Sequence, residues 1–248
     1  MCRAHGYFVI AASTGTDPGV ERLLVNSLLE RRVAGILLVS FGRDHSYLRK
    51  EIDLGVPVVF IDSPPRRLRA DAVLIDNKGG AKAAVEHMMR YGHRDIALLG
   101  GLDVFSMRGR HDGYAEALAS AGIDVDRRLV HFGLLNVEDA EACVSRLLEL
   151  KRPPTAVFAS ENRLTVGAIR AQAKAGRSLS VVGFDDFELA DMLTVPATVV
   201  AYGPENLGRI AADFLFNRLS GYDGPVQTHV LATEIIPRGS GEVAAPRR

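Results

Sequence analysis

The sequence predicts an α/β protein of two lobes, each a doubly wound parallel sheet, and three observations predict it. Short β-branched apolar runs alternate along the chain with segments of helical period, the pattern of strands buried on both faces. Most runs are followed by polar residues or glycine and then by a helix. Towards the C-terminus the alternation gives way to a short strand, a helix and an alternating strand. Those last elements read as crossings and edges, so the final helix and strand need not share a lobe.

The apolar runs place strands at Tyr7–Ala12, Gly35–Val39, Val58–Ile61, Ala72–Ile75, Ile96–Leu99, Leu129–Phe132, Ala156–Ala159 and Val181–Phe184. Ala197–Val200 follows as a short strand, Glu205–Leu219 as a helix and Thr228–Ile236 as an alternating strand. Asp17 is placed to cap a helix that starts at Pro18, whose fixed φ suits the first helical position, with Val20, Leu23, Leu24 and Leu28 on one face. Asn136, with Asp139 three residues on, starts another. That helix carries Ala140, Val144, Leu147 and Leu148 as its stripe and stops before Pro153 and Pro154. Gly55, Gly92, Gly122 and Gly176 stand where a helix ends in a left-handed residue.

At 248 residues, 47% hydrophobic and 24% charged, the chain buries a substantial core. Lys plus Arg equals Asp plus Glu at 30 each, so no overall positive field holds this chain on phosphate backbones. Two cysteines, Cys2 at the start and Cys143 on the apolar side of a helix, make no disulfide framework. The opening apolar run has no basic region before it and is too short to span a bilayer, which indicates the cytoplasm. No phosphate-binding glycine loop and no zinc spacing of His or Cys occurs. Ser240, between two glycines in what reads as a terminal tail, makes no nucleophile elbow. No cofactor and no metal is expected.

In open parallel sheets ligands bind outside the carboxyl ends of the strands. The polar residues at those exits are Ser13, Thr14, Ser40, Asp62, Gly100–Gly101, Ser160–Glu161–Asn162 and Asp185–Asp186. Carboxylates and an Arg fork suit a ligand rich in hydroxyls or amides. A single Asp after a strand is more often the cap of the next helix; Asp62, followed by Ser63-Pro64-Pro65, has no helix to cap. The segment Ser106–Tyr114 opens a helix with Arg108 and Arg110 early in it, where cations oppose the helix dipole. Both are either used by the site or simply paired with Asp103 and Asp112. Asp62 and Asp185 could formally be a glycosidase pair, but nothing in the sequence fixes their separation.

Six phrases in order carry a family resemblance: Arg32–Leu37, Gly55–Val59, Asp76–Ala81, Gly92–Ala97, Pro154–Ala159 and Val181–Asp186. They resemble the LacI family over essentially the whole chain. The resemblance implies a two-lobed, periplasmic-binding-protein-like fold of type I, a small-molecule effector between the lobes, and a separate N-terminal helix-turn-helix that reads operator DNA. Carried over by position, the effector contacts fall on Asp62, Arg110 and Asp185. Three further positions depart from the usual types: Glu161 replaces Asn, Leu135 replaces a stacking aromatic, and Tyr202 replaces Gln. Loss of the aromatic argues against a simple pyranose, and Glu161 favours a ligand with added donors.

The expected lobes are residues 1–102 with about 203–223, and 103–202 with about 224–240, leaving 241–248 as a tail. The helix-turn-helix and the first core strand and helix are read as absent, so the strands beside that gap should expose apolar residues. The implied function is the sensing and dimerisation core of a transcriptional repressor, responding to a sugar derivative or nucleoside-like metabolite, and not an enzyme. The alternative is a periplasmic sugar-binding protein of a transporter. Phe187, Leu189, Met192 and Leu193 form an apolar strip expected either to join two copies or to pack inside its own lobe. No membrane contact is expected.

Overall fold

Parallel pairing organises both sheets of the computed structural model, which describes residues 5–247; Cys2 lies outside the described residues. The chain divides into two compact units. The first runs through Ile75 and takes back Gly203–Leu231; the second holds Asp76–Tyr202 and the chain from Ala232 onward.

The first unit contains α1 (Pro18–Glu30), β1 (Ile36–Val39), the short α2 (Arg49–Asp53), β2 (Val58–Ile61), β3 (Asp71–Ile75), α7 (Pro204–Leu219) and β9 (Thr228–Leu231). Its sheet order is β1-β2-β3-β9, all parallel. Asp17 caps α1 as expected, accepting from Gly19 N–H at 2.7 Å. The core holds Val25, Ile36, Leu38, Leu48, Val58, Phe60, Ala70 and Ala72. A buried ion pair fixes the return of the chain: Arg218 on α7 donates to both Asp71 oxygens at 2.8 and 2.9 Å.

The second unit contains α3 (Asn77–Arg90), β4 (Ile96–Leu99), α4 (Phe105–Ser120), β5 (Val130–His131), α5 (Val137–Leu148), β6 (Ala156–Ala159), α6 (Asn162–Ala175), β7 (Ser180–Phe184), β8 (Thr198–Ala201) and β10 (Glu234–Ile236). Its order is β10-β8-β7-β6-β4-β5, antiparallel only at β10. The strand residues are buried on alternate faces, one packing against α5 and α6 through Ala140, Val144, Leu164 and Ala168. Asn136 caps α5 through Asp139 N–H at 2.8 Å, while Asp139 accepts from Leu135 N–H at 2.9 Å. Gly55, Gly92, Gly122 and Gly176 all have positive φ.

Several expectations are corrected. The division falls after Ile75, not after Leu102, because β4 pairs with β6 and β5 and so belongs with the six-stranded sheet. The alternating run Thr228–Ile236 is two strands: β9 pairs with β3, and after Ala232 and Thr233 β10 pairs with β8. Residues 224–231 therefore go with the first unit. Tyr7–Ala12 forms no strand, since it finds no neighbour to hydrogen-bond, and Phe8 is 95% exposed. On α1 the buried residues are Glu21 and Val25, while Val20 and Leu23 face solvent. Hydrogen bonds to the Glu21 carboxylate turn the helix onto that side.

The supposed tail is stitched into the second unit. Ser240 is fully buried; its hydroxyl donates to Val181 O at 2.6 Å and accepts from Thr198 N–H at 2.8 Å. Ala245 N–H donates to Tyr91 O at 2.9 Å.

Candidate functional site

Five parallel strands of the second unit end at one edge in the order β8-β7-β6-β4-β5. Tyr202, Asp185, Ser160–Glu161, Gly100–Gly101 and Phe132 therefore follow one another along it, a strand spacing of about 4.8 Å apart. This row holds most of the second unit's strand-exit candidates, and the neighbouring strands β7 and β6 bring Asp185 and Glu161 side by side.

Arg110 is the cation of the row. α4 begins at Phe105, so Arg110 stands in its second turn, where the dipole penalty has faded. What makes the position demanding is burial, for the residue is 5% exposed. Its Nε donates to Asn77 Oδ1 at 2.8 Å, and its two terminal nitrogens donate to the two Asp185 oxygens at 3.0 and 3.1 Å. Nη1 also donates to the Ser160 carbonyl, and the guanidinium lies over the Phe184 ring at 3.7 Å. Four of its five N–H groups are thus committed to the protein. Arg108, by contrast, is exposed and paired with Asp103. Of the two arginines that helix position alone did not separate, one is a solvated ion pair and the other a buried member of the row.

Asp185 leaves β7 with φ +70, a left-handed conformation uncommon outside glycine, and its N–H donates to Val200 O at 3.0 Å. In the first unit Asp62 leaves β2 with φ +60, and its N–H donates to Val73 O at 2.9 Å. Each unit therefore ends one parallel strand in the same device: an Asp bent into the left-handed region while its amide stays on the neighbouring strand. Such strain costs about 1–3 kcal/mol and concentrates at functional positions. Asp and Asn tolerate it best, because the short polar side chain bonds locally.

Glu161 occupies the N-cap position of α6 but does not cap it. Its carboxylate lies against the α-carbon of Gly101, where any side chain would collide with Oε1. Burial pushes its pKa above the usual carboxylate range and Asp185 adds to this, while Arg110 and Arg163 oppose it. An aromatic stands at this edge after all. β5 ends at His131, earlier than expected, so Phe132 stands at the strand exit, 51% exposed. Its ring packs on Gly100 and meets His111 edge-on at 5.5 Å between centroids. Leu135 is 54% exposed in the loop before α5, and Tyr202 is half-buried just after β8. The described contacts do not bring Leu135 onto the Arg110, Asp185 and Glu161 group. Phe132, Phe184 and Asn77 were the residues missed. A shorter fifth strand was the one signal that would have exposed Phe132.

Ser40, another strand-exit residue, is turned inward. Its hydroxyl lies 2.7 Å from His45 Nε2 and 2.9 Å from Glu21 Oε2, all three residues buried. This looks like a nucleophile and base, but the hydrogen bonds run the other way. His45 Nδ1 accepts from Arg66 N–H at 2.8 Å, which assigns the proton to Nε2. His45 therefore donates to Ser40, and Ser40 donates to Glu21, whose Oε2 also accepts from Phe41 N–H at 3.1 Å. A base already holding its proton cannot activate the hydroxyl. The cluster is a structural lock between α1 and the loop after β1. Among the described residues no group of His, Cys, Asp and Glu could hold a metal ion, and no helix is long and apolar enough to cross a membrane.

A family model described as a periplasmic binding protein-like domain matches residues 85–241. The HTH-type transcriptional repressor PurR of Vibrio atlanticus is 29% identical over 246 residues, covering 96% of this chain and 73% of that protein. A crystal structure of a LacI-family regulatory protein from Chloroflexus aggregans is similar at TM-score 0.83 and 25% identity, covering 96% and 87% of the two chains. The transcriptional regulator CelR, solved in complex with cellobiose, is similar at TM-score 0.80 and 31% identity, covering 91% of this chain and 71% of that one. These relatives are transcription regulators, and they share with this chain the fold whose strand-exit row has just been described. The chain belongs to the LacI family of transcriptional regulators, as an effector-binding core of periplasmic-binding-protein-like fold.

Proposed function

We propose that the strand-exit row of the second unit is where this regulator core reads its effector, a small polar metabolite of the sugar-derivative or nucleoside-like kind. The buried, bidentate Arg110–Asp185 pair at the mouth of β7 carries this reading. Arg110 spends its fork on orienting Asp185, which leaves the carboxylate's remaining lone pairs for ligand donors. Glu161 adds a second acceptor and Phe132 an apolar face. Asp62, in its strained strand-exit geometry in the first unit, is a candidate contact carried over by position. Leu135 and Tyr202 stand as outer contacts carried over by position alone. CelR in its complex holds a hydroxyl-rich ligand, the class an acceptor-lined row suits.

PurR is named an HTH-type repressor, and we assign this core the same logic: effector binding shifts an equilibrium that sets operator affinity, in the cytoplasm, with DNA read by a helix-turn-helix domain. The core acts as a homodimer. Phe187 and Leu193 pack on their own unit's core, while Leu189 and Met192 stay 58% and 75% exposed, so these two are the self-association contacts.

Calorimetry on the core with its effector tests the site. Asp185→Ala should weaken binding by about 1.5–3 kcal/mol, the range for a hydrogen bond to a charged group, with the fold intact. Asp186→Ala should cost stability with little change in affinity, because Asp186 is spent on Arg238 at 2.7 and 2.8 Å. Equal affinity losses for both, or none for Asp185→Ala, would place the effector elsewhere.

A further inference from the structure

The row has a charge imbalance that a neutral ligand leaves standing. Arg110 and Asp185 neutralise each other in a fork of two hydrogen bonds. Glu161, one strand along, has no such partner: among the described residues its carboxylate makes no hydrogen bond and no ion pair. Arg110 and Arg163 act on it only through longer-range attraction. Arg163, the nearest cation outside the fork in sequence, is exposed on α6. A carboxylate partly withdrawn from water without a paired cation is disfavoured.

The chain nevertheless makes room for it. The Glu161 carboxylate lies in the space that the missing side chain of Gly101 leaves open, and a Cβ there would make it turn aside. Gly100 beside it yields in the same way to the Phe132 ring. The Gly100–Gly101 pair at the exit of β4 therefore seats two things next to each other, a negative charge and an aromatic face. The helix dipole at the start of α6 favours an acid there, but the Glu161 carboxylate makes no capping hydrogen bond that would use it up.

We propose that the effector of this regulator carries a cationic nitrogen, an amine borne on a polar, hydroxylated frame, and that Glu161 is the residue selecting it. This rests on the effector site proposed above and names the ligand class for it. Asp185 binds hydroxyl or amide donors of the frame, Glu161 pairs with the ammonium, and Phe132 covers the neighbouring apolar or cationic face, an arrangement aromatics favour.

The test uses matched pairs that differ only in the amine: D-glucosamine against D-glucose, D-galactosamine against D-galactose, D-mannosamine against D-mannose, and 5′-amino-5′-deoxyadenosine against adenosine. Thermal shift at millimolar concentration ranks them on the wild-type chain, and calorimetry follows on any pair that shifts. The expected result is that the amine member of at least one pair outranks its neutral partner by about tenfold in affinity, the size of one charge-assisted bond. In Glu161→Gln that preference should disappear. The proposal is overturned if no amine stabilises the wild type more than its neutral partner, or if Glu161→Gln keeps the preference. Asp185→Ala separates this from the site itself. A neutral compound whose binding Asp185→Ala abolishes leaves the effector where it was placed and removes only the cationic preference. Binding indifferent to Asp185→Ala removes the site.

Discussion

A buried guanidinium is tolerated only when nearly every N–H is answered, and Arg110 shows how completely that can dictate its surroundings. Asn77 and Ser160 take two of its bonds and Phe184 supports its face, so the fork points one way, at Asp185. Arg110→Lys keeps the charge but cannot hold two oxygens in a plane. We expect a loss of about 1.5–3 kcal/mol in unfolding free energy, read by urea denaturation, while Arg108→Lys, whose pair is exposed, changes little. An equal effect of the two substitutions would mean that the fork is not what stabilises the site. Asp62 and Asp185 were legible from the sequence because an acid after an apolar run, in a protein of parallel strands, falls at a known edge. Their left-handed backbone was not, since no residue pattern distinguishes it from an ordinary cap. Nor was Glu21: the apolar periodicity of its helix favours Val20 and Leu23, and only the buried donors Ser40 and Phe41 N–H explain why the acid is the residue turned inward.

Most strands and the four left-handed helix ends were readable because each leaves a periodic or single-residue signature, whereas the apolar run Tyr7–Ala12 forms no strand and Thr228–Ile236 forms two. The C-terminal strap was not, because it is held by isolated hydrogen bonds with no period at all. Glu242 is its anchor, accepting from Thr198 Oγ1 at 2.7 Å and Gly239 N–H at 2.6 Å and bonded to His87 Nε2. Burial by itself would raise the Glu242 pKa, but the bonds from Thr198, His87 and Gly239 outweigh it and hold it below the ordinary glutamate value. The unfolded chain therefore binds this proton more readily than the folded one. The stabilisation is fully present above the ordinary glutamate range and is lost as pH falls through the depressed folded value. Melting temperatures taken from neutral to acidic pH should fall more steeply for the wild type than for Glu242→Gln, the two curves converging at the acid end. Parallel curves would show that the strap does not depend on the ionised acid. Ser40→Ala should act at the other lock, removing a donor from buried Glu21 and costing about 1–3 kcal/mol at neutral pH.

The molecule as a whole carries no net charge, so no long-range repulsion keeps copies apart, and one side of the first unit invites them together. β1 is the end strand of its sheet, and its burial alternates, Ile36 and Leu38 inward, Leu37 and Val39 outward at 40% and 51% exposed. In the same unit, Phe8, Val9 and Ile10 are 95%, 71% and 66% exposed, and Leu23 on α1 is 72% exposed. An uncovered parallel strand with apolar outward residues offers its amides and carbonyls to any extended segment, and natural sheets blunt such ends with lysine. Leu37→Lys places a charge on the outward face without touching the core, so unfolding free energy should change by no more than about 0.5 kcal/mol. Light scattering at rising concentration should nevertheless show slower aggregation. Met192→Glu supplies the contrast. If two copies associate through Leu189 and Met192, that substitution should lower the sedimenting mass to the monomer's while leaving the aggregation rate alone, and Leu37→Lys should do the reverse. A single substitution that suppressed both would mean that one surface, and not two, governs how copies of this chain meet.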